Sequence, residues 1–175
     1  MDIGLLLIRI AVGALFFIHG TQKLFGWFGG YGLEGTAGFM GRLRYRQPQV
    51  AALAAGTFET GAGLFLAVGF LTPLAAAAIV GVMINAIVSA KLKQGLIGGY
   101  ELDLVYAGVA AGLGFAGAGG YSVDGALGWQ LGGTQWGLVT ILLGFLVAAV
   151  VLATRAPAEL VTQRAAEATE GRRAA

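Results

Sequence analysis

Arg9, His19, Gln22, Lys23, Glu59 and Asn85 are the residues of this sequence with the most chemistry to offer, because each interrupts a run of apolar residues. Together a carboxylate, an imidazole, two amides and two cations can bind a polar ligand, carry a proton or clasp one helix to another. His19 and Lys23 stand four residues apart, so on a helix they share one face, a single turn from each other. A second charged group, Lys91, Lys93, Glu101 and Asp103, brackets a short segment containing three glycines. Basic residues closing one helix and acidic residues opening the next suit the two helix dipoles. They can also pair with one another or meet a substrate. A third group, Tyr121, Ser122 and Asp124, follows Gly119 and Gly120. Its serine and aspartate are residues that cap a short helix or close a turn.

The elements that must position these residues follow from composition. The chain has 175 residues, of which 57% are apolar and 11% charged, where a soluble domain has about 25% charged. Its mean hydropathy is +0.79. That is an integral membrane protein of one domain's length, with the lipid bilayer as its first partner. A net charge of +2, scattered along the chain, gives no reason to expect nucleic acid. The absence of cysteine excludes disulfides, thiolate metal sites, iron–sulfur clusters and dithiol redox chemistry carried by this chain. A single histidine excludes a multi-histidine metal centre within one subunit, so no metal site is expected.

Five stretches come near the roughly 20 apolar residues that a membrane-spanning helix needs. They are 3–25, 50–71, 73–92, 102–118 and 136–153. The fold class expected is therefore all-α, a transmembrane helix bundle. The first stretch lacks a basic leader and carries Arg9, His19 and Lys23, so it reads as a retained span, not a cleaved signal. Thr72–Pro73 leaves room only for a tight hairpin, with proline in the first turn of the third span. Five spans put Arg42, Arg44, Arg46, Lys91, Lys93, Arg155, Arg164, Arg172 and Arg173 on one side. By the positive-inside rule that side is cytoplasmic and the N-terminus lies outside. Gly61, Gly63, Gly69, Gly108, Gly112 and Gly114 are expected to let helix backbones approach closely. Trp27, Phe28, Tyr31, Tyr121, Trp129 and Trp136 suit the membrane interface.

Depth sorts the polar residues. At 1.5 Å per residue from the basic-side ends, His19 lies about 9 Å deep, Glu59 about 13 Å and Asn85 about 12 Å. Three helices thus bring polar groups to one level. A carboxylate there must be neutralised, paired or wetted. His19 is its expected partner, with Lys23 joining the cluster or snorkelling to the interface. Arg9 stands about 10 Å further toward the opposite side, where it can snorkel outward. The cluster has three readings: a clasp between helices, a ligand or quinone site, and a proton pathway.

The run from Leu5 to Trp27, with Arg9 and His19-Gly20-Thr21-Gln22-Lys23, resembles the opening of DoxX-family membrane proteins. So do Gly35–Phe39, the surroundings of Glu59, Gly99-Tyr100-Glu101 and Gly119–Asp124. The resemblance covers about residues 4–127 and carries the family's motif positions onto Arg9, His19, Gly20, Gln22, Lys23, Glu59, Glu101, Ser122 and Asp124. It implies a four-helix core over 1–127, to which this chain adds a span at 128–154 and a polar cytoplasmic tail at 155–175. It also implies a bacterial inner-membrane location and a distant fold relation to vitamin K epoxide reductase, whose essential cysteines are missing here. Relatives of this type are linked to thiosulfate:quinone oxidoreductase subunits and to oxidative-stress complexes. The function implied is an accessory or quinone-interacting subunit of a membrane redox complex. Its cofactor would be a bound quinone and its partners other membrane redox subunits. The alternatives are a non-catalytic membrane scaffold and a small proton-coupled transporter. Few intramembrane charges and no inverted repeat speak against the transporter.

Overall fold

A computed structural model describes residues 2–157. The tail arginines Arg164, Arg172 and Arg173 lie outside the described residues. Among the described residues seven α-helices form, in chain order α1 (Asp2–Phe25), α2 (Gly32–Arg42), α3 (Pro48–Val68), α4 (Thr72–Ala86), α5 (Glu101–Ala116), α6 (Val123–Ala126) and α7 (Thr134–Ala153). Five helical stretches of the described residues are long and apolar enough to cross a membrane: Asp2–Phe25, Pro48–Val68, Thr72–Gln94, Leu96–Ala116 and Thr134–Ala153. The fold is an all-α membrane helix bundle. The fourth span starts earlier than hydropathy suggests, because short helical turns from Ile87 to Tyr100 carry the chain between α4 and α5.

Lipid gives apolar side chains no incentive to bury against one another, so close backbone approach decides which helices pair. α1 runs antiparallel along α3, where Gly13 faces Gly63. A Cβ on Gly13 would stand 2.5 Å from the Gly63 carbonyl oxygen. α4 lies between α5 and α7, and there a Cβ on Gly144 would stand 2.6 Å from Val80 Cγ1. The expectation of glycine packing holds for Gly63 and Gly114, whereas Gly69 ends α3 and faces the Arg9 side chain. It fails for Gly61, Gly108 and Gly112, around which nothing approaches within 4 Å. α5 is an edge helix that buries its Ala110–Leu113–Gly114 face and turns Gly108 and Gly112 outward.

The core collects Phe16, Leu66, Ile79 and Leu113 from four helices. An edge-to-face contact between Phe16 and Tyr106, 5.5 Å between centroids, joins α1 to α5. Two pairs of spans, α1 with α5 and α3 with α7, do not otherwise pack along one another. The basic ends of α3 and α7 are tied by backbone instead. Arg46 N donates to Thr154 O at 3.2 Å, and Ala156 N to Arg44 O at 2.8 Å. Arg155 Nε donates to Leu43 O at 2.9 Å. The first residues of the expected polar tail thus belong to the fold.

Candidate ligand site

α3 and α4 leave their hairpin together and separate toward the basic end. Between their separated halves lies a cavity of about 850 Å³. α3 lines it only with residues of 50–59 and the third span only with residues of 78–91, while α1, α5 and α7 supply their basic halves. Most of the wall is apolar, including Phe16, Ala55, Phe58, Val82 and Met83. The polar groups are few: His19, Lys23, Glu59, Tyr45, Asn85, Ser89, Lys91, Asp103 and Tyr106, with Arg46, Gln47 and Thr154 at the rim.

Glu59 stands on α3 next to the face that packs on α1 and is 3% exposed. Its Oε1 accepts a hydrogen bond from Lys23 Nζ in an ion pair. This corrects the depth argument, which gave the carboxylate to His19. The Gly20–Gly56 contact draws α1 against α3, and from one turn further on the long lysine stem reaches the carboxylate. The shorter imidazole stays exposed on the cavity wall. Glu59 Oε2 is buried with no hydrogen-bond partner among the described residues.

Asn85 shares the cavity but not the Glu59 cluster. Its Oδ1 accepts from Tyr45 Oη at 3.3 Å, and its Nδ2 donates to Gly81 O at 3.1 Å and Ala148 O at 3.4 Å. Those partners turn it toward α7 and away from α1. Gln22 lies outside the cavity, its Nε2 donating to Phe28 O at 3.1 Å to hold the turn after α1. Of the second expected group only two members meet. Lys91 Nζ reaches Asp103 Oδ1 at 2.9 Å and Oδ2 at 2.7 Å, with Asp103 buried on the cavity wall. Lys93 and Glu101 are exposed and do not line it.

The third group forms a knot at the opposite end of the bundle. Arg9 does not snorkel; it is fully buried and donates from Nη2 to the Tyr121 carbonyl. Room for its guanidinium comes from Gly69, where any Cβ would strike it and where φ is +69°. Asp124 is 1% exposed and acts electrostatically on Arg9 without a direct ion pair. Ser122 caps α6 as expected, accepting from Gly125 N at 2.9 Å. Asp124 instead caps α4, accepting from Leu71 N at 2.8 Å, Thr72 N at 3.0 Å and Thr72 Oγ1 at 2.8 Å. The sequence could not show that, since more than 50 residues separate cap from helix. Of Tyr121 only the carbonyl takes part; its side chain is exposed.

Sequence reasoning missed three polar cavity residues, Tyr45, Ser89 and Tyr106. Tyr106 had a readable signal, standing three residues after Asp103 on the same helical face. Tyr45, 6% exposed, had none, because it sits between Arg44 and Arg46 in what reads as a solvated loop.

Residues 4–92, from α1 to the end of the third span, match the family model for DoxX. The chain belongs to the DoxX family. It is also similar to "Putative oxidoreductase CatD" of Bacillus subtilis (strain 168), at 31% identity over 102 residues, covering 58% of this chain and 70% of that protein. No solved structure matches it. The matched DoxX segment supplies Lys23, Glu59, Asn85 and Lys91. Asp103, Tyr106 and the α7 wall lie beyond it, so the DoxX segment alone does not complete the cavity.

Proposed function

We propose that this DoxX protein is a bacterial inner-membrane component of a redox system whose cavity holds a quinol. The observation that carries the reading is Glu59 Oε2, a buried oxygen without a partner on the wall of a cavity among the membrane-spanning helices. A volume of about 850 Å³ falls among ligand pockets, which run from roughly 300 to 1,000 Å³. The lining fits such a group: apolar walls for a ring, and a few polar side chains that could bond its hydroxyls. As the carboxylate of an ion pair, Glu59 can only accept, which suits the hydroxyl of a quinol better than the carbonyl of a quinone. Bound there, the group would supply two-electron carrier chemistry. The protein's share is to orient the head, with Glu59 Oε2 free to accept a hydrogen bond from its hydroxyl. With no cysteine and one histidine, the chain carries no dithiol or multi-histidine redox centre of its own, and partner subunits would take up the electrons. The name of CatD supports a redox setting.

Organic extraction of the detergent-purified protein tests this, with quinone quantified per polypeptide. Near-stoichiometric quinone is expected. Glu59→Gln should weaken quinol binding by roughly 10- to 100-fold, the worth of a hydrogen bond to a charged group. His19→Ala should weaken it less. A quinone-free preparation that takes up neither form would leave the polar pairs as interhelical clasps and the protein as a scaffold.

We also place the basic end in the cytoplasm, on the charge asymmetry of the loops. The cysteine-free background makes the check direct. Gly38→Cys, exposed on α2, should resist an impermeant maleimide in intact cells, while Gln130→Cys, exposed in the α6–α7 loop, should react. The reverse pattern would invert the topology.

A further inference from the structure

The cavity wall is segregated. Its two acid–base pairs, Lys23–Glu59 and Lys91–Asp103, come from α1, α3, the end of the third span and α5. The stretch between α3 and α7 is apolar throughout, made of Val50, Ala54 and Phe58 on one side and Val147, Val150 and Val151 on the other. Spacings of four residues put Val50, Ala54 and Phe58 in one row on α3. These two helices do not pack along one another, and only their tips are joined, through Arg46 and Thr154. Val50, Phe58 and Val150 line the cavity and are also 58%, 55% and 59% exposed. Residues that face both the cavity and the exterior mark an opening. This opening lies between two membrane-spanning helices, so it faces hydrocarbon.

We infer that the ligand carries a long hydrocarbon tail, which leaves the cavity sideways between α3 and α7 while its polar head lies toward Glu59. The inference rests on the reading that the cavity holds a quinol, and it adds the tail and its route. Size alone argues for an open side: a ring fills part of the cavity, whereas a tail long enough to anchor in a bilayer must continue outside. The wall between α3 and α7 offers that tail no unsatisfied polar group. Leu102 on α5, 56% exposed, gives the cavity an exposed wall on the α1–α5 side as well, but there a tail would lie against His19 and both ion pairs.

The test uses the full chain in lipid nanodiscs and two probes, a decyl-tailed benzoquinol and the same ring without the tail. Ala54→Trp fills the window from the α3 side. The double variant Val50→Cys/Val150→Cys is a second route, since it folds before a bifunctional maleimide closes the gap. Either closure should weaken the tailed quinol by about tenfold or more and leave the tail-less ring within about twofold. Equal loss of both probes, or loss of neither, would overturn the tail route while leaving a ligand in the cavity. Wild-type protein that binds neither probe would overturn the quinol reading and the route with it.

Discussion

Asp124→Ala is expected to loosen the end of the bundle opposite the cavity and to cost about 3–5 kcal/mol of stability, as loss of one partner of a buried charge does. Three hydrogen bonds disappear at once from the start of α4, where the backbone N–H groups have no helical acceptor. The carboxylate also complements the positive end of the α4 dipole. Arg9 adds to the loss: its buried Nε and Nη1 already lack hydrogen-bond partners among the described residues, and Asp124 is the carboxylate that acts on its charge. Unfolding in mixed micelles, followed by circular dichroism, measures the effect. Asp124→Asn keeps an acceptor for α4 and should lose less than Asp124→Ala. Adding Arg9→Met to Asp124→Ala should restore part of the stability, because the uncompensated charge is gone. An Asp124→Ala protein as stable as wild type would refute the account.

The second large effect belongs to the cavity. Lys23→Met leaves Glu59 buried with neither cation nor hydrogen bond, and a stability loss of about 3–5 kcal/mol is expected. A loss of that size must come from the stranded carboxylate, since lysine itself is one-third exposed and its stem is replaced by methionine of similar length. The double variant Lys23→Met/Glu59→Leu should therefore recover most of the stability, because replacing both members of a buried pair by apolar residues is often neutral or better. It should not recover quinol binding. That separation distinguishes a site that also clasps two helices from a clasp alone. A double variant that binds quinol like wild type would remove Glu59 from the site.

The DoxX segment and the helices beyond it divide the labour at this cavity. α1, α3 and the third span bring Lys23, Glu59 and Lys91, and α5 answers Lys91 with Asp103. Tyr45 reaches in from the α2–α3 loop and touches Asn85, while Arg155 at the end of α7 holds that loop and lies over the tyrosine ring at 5.9 Å. The α7 helix thus helps to close the basic end of a site whose charged groups come from elsewhere.

Hydropathy determined the five spans from the sequence alone, because a bilayer of fixed thickness demands a fixed length of apolar helix whatever its neighbours are. The rise per residue likewise brought His19, Glu59 and Asn85 to one level, and all three do line the cavity. Level is only one coordinate. Which way each residue points around its helix axis depends on which helices pair, and that is decided by close contacts such as Gly13 with Gly63 and Gly20 with Gly56. Tertiary structure therefore decided that Lys23 and not His19 meets Glu59, and that Asn85 turns to Tyr45. Arg9 shows the same limit. A single helix near a membrane edge lets an arginine snorkel, whereas here the empty space at Gly69 and the distant carboxylate of Asp124 create a buried place for it. Such a place exists only after four segments of chain have met, so no local pattern of residues could have contained it.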